Sequence, residues 1–355
     1  NARVVHNDYL SKREEYYKET KKALTVSQYK KEYLPALKKE KEYLNDTDKF
    51  VYENACRNVD DAYNRFFKGL SGFPKYASKT KPNGNSFTTN FTNNNIELKM
   101  IDGIPYVKLP KVGCVRFILP KGKILTDIQP HGVAIKAATV SREPDGSYRI
   151  ALRMESVIDK PVFPTVINAR EIISVDLGLK DFGVFGNLKE TNTVPNPRWI
   201  QVHARRLRRF QKSLSRKQYD KKTHTGSRNW EKARLKVAKE QRKTADQRRD
   251  FHHKLSRAIT DNCVAFICED LAVKNMMKNR HLSKSIASVG WYQFLKMVQY
   301  KMECAGKYFR KISRWYPSSQ TCGCCGYKNT DVKDLSVRKW KCPKCGTWHD
   351  RDVNA

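Results

Sequence analysis

Residues 171–186 read EIISVDLGLKDFGVFG, and the fold turns on this stretch. The apolar run Ile172–Val175 has the length and β-branched content of a buried strand. Asp176 ends that run, Leu177-Gly178 offers a turn, and DFGVFG starts a second strand. A matching segment, CVAFICEDL at 263–271, is another short apolar strand, and it ends on two acids, Glu269 and Asp270. If these strands lie side by side and parallel, Asp176 and Glu269 become neighbours, while Asp270 points to the opposite face. A third acid, Asp350 or Asp352, follows a cysteine-rich segment at the start of a short helical stretch.

Carboxylates brought to one apolar sheet edge repel each other unless they share divalent cations. Two Mg²⁺ ions held there would activate a water and stabilise the leaving oxygen of a phosphodiester. That is a ribonuclease H-like arrangement. Taken singly, each acid is weak evidence, because a strand-terminal Asp is more often a turn or cap residue; the set of three, in this order, carries the signal.

Between the two strands the composition changes abruptly. Residues 198–257 hold 21 Lys or Arg against 5 Asp or Glu, a net charge of +16. The pattern is helical and interrupted near HTGSRN, so it predicts a hairpin of two long basic helices. Arg205, Arg206, Arg208, Arg209, Lys212, Arg216 and Lys217 crowd one short stretch with few acidic i,i+4 partners. Phosphate contact explains that better than a solvated face does. The whole chain of 355 residues carries 70 Lys or Arg against 36 Asp or Glu, a formal charge of +34. Such self-repulsion calls for a polyanion. With 39% hydrophobic residues and 11% aromatics, the chain can still bury a core, which excludes wholesale disorder. No apolar run approaches ~18 residues, and NARVVHNDYLSKREE lacks a signal-peptide core, so nucleic acid is expected rather than membrane, in the cytoplasm.

On the N-terminal side of this centre, residues 1–75 read as a helical domain, broken near Pro35 and restarted by NDTD at 45–48, whose helix would bury Val51, Ala55, Val59, Ala62 and Phe66. Residues 76–170 alternate in short segments with hairpin turns at Asp102-Gly103 and Asp145-Gly146, predicting a barrel-like antiparallel β domain. Residues 171–355 form an α/β domain, with helices expected from the second apolar strand through Lys311. Five of the ten cysteines fall between 322 and 345. Cys322-x-x-Cys325 and Cys342-x-x-Cys345, 16 residues apart, have the spacing of two knuckles closing a tetrahedral Zn²⁺ site, with Gly326 and Gly346 relieving the turns and Cys324 a bystander. Trp340 and Trp348 are expected to brace this insert, 317–348, and Trp291, Tyr292 and Phe294 to pack the helices.

The strings VDLGLKDFGVF, PNPRW, RKQYDKKTHTGSRNWEKARLKVA, FICEDL, PSSQTCGCCGY and WKCPKCGTWHDRDVNA together resemble the TnpB family of transposon-encoded, RNA-guided DNA endonucleases, which are similar to type V CRISPR effectors. LTVSQYKKEYLPALKKE, RFFKGLSGFPKY and NSFTTN resemble its recognition and wedge regions, so the likeness spans nearly the whole chain. The family begins with a Met and a strand absent here and continues beyond Ala355, implying a longer polypeptide.

The resemblance implies a multidomain α+β fold: a helical recognition domain, a β wedge domain, and a RuvC-like nuclease domain with an inserted zinc ribbon. It implies Asp176, Glu269 and Asp352 as the Mg²⁺-binding catalytic acids, with Mn²⁺ a plausible substitute and Asp350 an alternative or a helix-entry residue. It implies a monomer in a ribonucleoprotein, with a guide RNA from the transposon end and double-stranded target DNA beside a short target-adjacent motif. Ser86, Phe87, Thr88 and Thr89 are candidates to contact nucleic acid, although Phe87 and Phe91 could equally plug the β domain. A compact type V CRISPR effector would have the same chemistry. A non-cleaving RNA-guided regulator and a protein-only transposase are rivals of other classes.

Overall fold

The computed structural model describes residues 1–78, 85–157, 159, 161–187, 190–334 and 336–354, without the side chain of Asp352. The chain divides into two units, Asn1–Ile158 with Gln218–Glu231, and Asp159–Lys217 with Lys232–Ala355.

The first unit starts with four helices, α1 (Ala2–Thr20), α2 (Val26–Glu32), α3 (Leu34–Glu40) and α4 (Lys49–Phe67). Thr25 and Gln28 form a capping box on α2, and Pro35 sits in the first turn of α3, where no N–H is needed. Asp48 from the NDTD signal caps α4 by accepting from Phe50 N at 3.3 Å. Of the face expected for α4, Val51, Ala55 and Val59 are buried and Ala62 and Phe66 half-buried. Tyr52, Cys56 and Tyr63 complete it, packed in a core with Val5, Tyr9, Leu10, Leu24 and Tyr29.

The same unit continues through β1 (Ser86–Asn90), β2 (Glu97–Ile101), β3 (Ile104–Leu109), β4 (Gly113–Arg116), α5 (Leu125–Ile128), β5 (Ala134–Arg142) and β6 (Tyr148–Glu155). Both anticipated hairpins form: Asp102 and Gly103 take positive φ between β2 and β3, and Gly146 takes φ +85° between β5 and β6. The expected barrel-like sheet is instead two three-stranded antiparallel sheets, ordered β1-β5-β6 and β2-β3-β4. Ile96, Val107 and Leu109 meet Ile135 and Ala138 in one shared core, so the region closes by side-chain packing and not by a continuous ladder.

The second unit is organised around a five-stranded sheet of β7 (Ile172–Asp176), β8 (Asp181–Gly186), β9 (Thr191–Pro195), β12 (Ala265–Glu269) and β13 (Tyr308–Ile312). Its order is β13-β12-β7-β8-β9; β7, β8 and β9 are antiparallel neighbours, whereas β12 is parallel to both β7 and β13. A parallel neighbour requires a long crossover. It is supplied by the basic helices α6 (Trp199–Ser215) and α7 (Arg228–Asn262), joined through the short pair β10 (Tyr219–Asp220) and β11 (Thr225–Gly226). Beyond β12 come α8 (Val273–Met276), α9 (Ser283–Val289) and α10 (Trp291–Cys304). The helices expected through Lys311 therefore stop early. Gly306, at φ +67°, ends the helical run, and YFRKI becomes the edge strand β13.

The core of this unit gathers Phe182 and Phe185 of β8, Phe266 of β12, and Trp291, Phe294 and Val298 of α10. Tyr292, expected to pack there, is exposed on the other side of α10. His252 of α7 lies fully buried among the rings of Phe182, Trp199, Phe251 and Phe294, and its Nε2 lies 2.9 Å from the Val289 carbonyl oxygen. Burial, helped by the nearby Arg248 charge, pushes its pKa down to about 4. An imidazole depressed below its ordinary value stabilises the fold fully above about pH 6.5, and loses that contribution as pH falls towards 4. The loss amounts to at most about 3 kcal/mol. The melting temperature of the wild type is expected to fall more steeply between pH 6.5 and 4 than that of His252→Gln. Parallel curves for the two proteins would contradict this.

Candidate active site and cysteine cluster

β7 and β12 pair with Ala265 opposite Ile172 and Cys268 opposite Val175. One position further, the same register sets Glu269 beside Asp176, each the last residue of its strand. This is the adjacency expected from the sequence. It stands at the carboxyl ends of a parallel pair, where α/β sheets open a crevice for ligands. Both residues are half-buried. Neighbouring strands lie about 4.8 Å apart, and two ionised carboxylates at that spacing repel by about 3 kcal/mol at an effective dielectric constant near 20.

Ser318 Oγ donates to Glu269 Oε1 at 2.9 Å. A carboxylate has about four lone-pair positions, so this bond leaves Glu269 able to bind a cation. Asp270 takes a different course: it pairs with Arg314 and, at 3.3 Å, with Lys311, and these two cations hold its carboxyl below the usual range. Asp350 ends β15 (Trp348–Asp350), which pairs with β14 (Lys339–Lys341). Its Oδ1 accepts from Val353 N at 3.4 Å, at the entry to α11 (Arg351–Asn354). Asp352 belongs to α11, and its side chain lies outside the described residues. An all-oxygen donor set such as Asp176 and Glu269 suits a hard divalent cation.

The four expected cysteines come together. The sulfurs of Cys322, Cys325, Cys342 and Cys345 all lie within 4.8 Å of one another, with Cys322–Cys345 and Cys325–Cys342 at 3.6 Å. Tetrahedral Zn–S bonds of about 2.3 Å would place sulfurs about 3.8 Å apart, so the cluster fits such an ion. The two knuckles repeat one geometry. Cys322 N donates to Tyr327 O at 2.8 Å and Gly326 N to Cys322 O at 2.9 Å; Cys342 N donates to Thr347 O and Gly346 N to Cys342 O, both at 2.9 Å. Gly326 and Gly346 adopt φ +71° and +73°, which an L side chain resists. Trp340 packs against the cluster, but Trp348, expected to do the same, is 69% exposed. His349, which sequence reading passed over, brings Nε2 to 3.0 Å from Cys322 Sγ, and a second group of potential ligands is Cys322, Cys324 and His349.

Arg205, Arg206, Arg208, Arg209, Lys212, Arg216 and Lys217 are all exposed along and just beyond α6. Arg206 is engaged structurally: its Nε lies 3.2 Å from Glu240, a buried residue of α7 whose other oxygen meets His203 Nδ1 at 2.8 Å. Sequence spacing could not separate it from its neighbours. In β1, Thr89 is buried and donates to Asp48, and Thr88 pairs with Thr139 at 2.8 Å. Ser86, Phe87 and Thr89 line, with Arg3 and Lys111, a cavity of about 460 Å³. Ser318 and Asn354 were also missed; a Ser ahead of a knuckle and an Asn after an acid carry no distance information.

A family model described as "Probable transposase" matches residues 151–280, and one described as "Cas12f1-like, TNB domain" matches residues 291–355. The protein in a cryo-EM structure of a Cas12f1–sgRNA–target DNA complex shares the fold, with a TM-score of 0.59 at 14% identity over 99% of this chain and 80% of that one. Fold and site thus define a multidomain α/β protein of Cas12f1-like architecture. A Streptomyces pristinaespiralis protein provisionally named an RNA-guided DNA endonuclease is 30% identical over 315 residues, covering 88% of this chain and 71% of that protein. InsQ of Escherichia coli K12, with the same provisional name, is 26% identical over 331 residues, covering 89% and 74%. The chain belongs to the TnpB/OrfB family.

The cluster geometry leads to a specific expectation. Cys342→Ser lowers bound metal, counted by elemental analysis, well below one ion per chain and lowers the melting temperature, whereas Cys324→Ser changes neither. Metal loss in Cys324→Ser with full metal content in Cys342→Ser would move the site to the Cys322, Cys324 and His349 set.

Proposed function

We propose that this chain is an RNA-guided DNA endonuclease that cuts target DNA at a divalent-metal site formed by Asp176, Glu269 and Asp352. One observation carries the reading: Asp176 and Glu269 end adjacent parallel strands in matching register. Membership of a family whose relatives bear RNA-guided endonuclease names adds to it. The sheet order, three antiparallel strands followed by two parallel ones, supports a ribonuclease H-like, RuvC-type domain. Mg²⁺ is the cation this oxygen donor set suits, and when bound it would supply a nucleophilic water and charge stabilisation at the scissile phosphodiester.

The protein's own contribution is placement. The two strands fix the carboxylates at the sheet edge, and Ser318 orients Glu269. Asp350 caps the helix that carries Asp352. The cysteine cluster, holding structural Zn²⁺, braces the segment ahead of that helix. Arg205, Arg208, Arg209, Lys212, Arg216 and Lys217 would neutralise the backbone of a guide–target heteroduplex, a contact that confers affinity without reading sequence. Pairing by the guide reads the target. The cavity at Ser86 and Phe87, flanked by Arg3 and Lys111, would receive the short motif beside it.

Asp176→Ala or Glu269→Ala is expected to abolish cleavage of a guide-matched duplex while RNA and target binding persist; cutting at the normal rate would refute the site. Replacing Arg205, Arg208 and Arg209 together by Ala should weaken RNA binding and flatten the slope of log affinity against log salt by about 2–3. An unchanged slope would remove α6 from the interface.

A further inference from the structure

α11 has four residues, too few to be stable by its own hydrogen bonds. It is fastened at both ends. Arg351 is buried; its backbone N donates to Arg338 O and its Nη1 to Asp334 O, both at 2.8 Å. At the other end, the Asn354 side chain reaches three backbone groups of the segment that enters the first knuckle. Gly323 N donates to Oδ1 at 3.0 Å, and Nδ2 donates to Thr321 O at 2.7 Å and to Ser318 O at 3.5 Å. Donor facing acceptor at each contact settles which way the amide points. The approach is close: a Cβ on Gly323 would lie 3.3 Å from Oδ1. Ser318, held at one end of this contact, is itself buried and donates to Glu269.

We propose that Asn354 is a positioning residue that locks the helix carrying Asp352 to the Ser318–Gly323 segment, and through Ser318 sets its spacing from Glu269. The inference rests on the metal-site reading above and adds a residue to it. Only a side chain that both donates and accepts satisfies these partners. Aspartate at 354 would keep the size and the acceptor, lose both donations, and set a negative charge against two carbonyl oxygens.

The test uses the ribonucleoprotein as purified with its RNA, with Mn²⁺ binding followed by electron paramagnetic resonance beside cleavage of a duplex matched to that RNA. Asn354→Asp is expected to weaken Mn²⁺ binding and slow cleavage about 10–100-fold, the usual effect of losing support behind a metal ligand. Zinc content and target binding stay at wild-type levels. Ser318→Ala should shift Mn²⁺ affinity in the same direction, and Ser318→Thr should restore it. Wild-type Mn²⁺ affinity and cutting in Asn354→Asp would overturn the proposal. So would loss of zinc and target binding together with cleavage, since Asn354 would then support only the knuckle. If Asp176→Ala also bound Mn²⁺ and cut normally, the metal-site reading itself would have failed.

Discussion

Two carboxylates at the ends of adjacent parallel strands form the constraint around which the second unit is arranged. Asp176 and Glu269 oppose each other electrostatically, and the sheet keeps them together because β7 and β12 are tied by a register that buries Val175, Phe266 and Cys268. Apolar burial of this kind contributes roughly 1.5–3 kcal/mol per large side chain, enough to hold a repulsion of a few kcal/mol. A parallel pair also needs a crossover. Here the crossover carries the densest positive charge in the chain, so the acids and the basic helices come from one topological requirement.

Much of this was legible in residue order. Short β-branched runs ending on acids, the Asp-Gly turns, the NDTD cap and the paired Cys-x-x-Cys knuckles each have a local physical signature, and each formed as expected. What escaped was tertiary. YFRKI has the alternation of an edge strand but closely follows a helix, and only residues 305–307, with Gly306 at positive φ, separate the two. Aromatic character alone suggests that Tyr292 packs the helices and that Trp348 braces the cysteine insert, yet both face solvent. Arg206 looks like its neighbours in sequence, yet its partner is Glu240, distant in sequence and also bonded to His203. The two β sheets share a core without sharing hydrogen bonds, a distinction that alternation cannot express.

The cysteine cluster matters for the elements attached to it. By itself it is a pair of superposable knuckles that fit a tetrahedral ion. Its first knuckle, however, adjoins Ser318, the hydrogen-bond donor to Glu269, and its second leads through β15 into α11. Arg351 and Asn354 attach α11 to both knuckles' surroundings. A short helix with little intrinsic stability thereby acquires a fixed position, and the final acid acquires a fixed origin. A cysteine cluster distant from Glu269 in sequence is in this way linked to it in structure.

An RNA carried by this chain should select the DNA that the carboxylate site cuts. The decisive measurement is to sequence the RNA that co-purifies with the protein, then offer a duplex matched to it and a scrambled duplex, each with and without Mg²⁺. Cleavage of the matched duplex alone is predicted, and only with the divalent ion present. Cutting of both duplexes, cutting by RNA-free protein, or cutting in the presence of a chelator would contradict it.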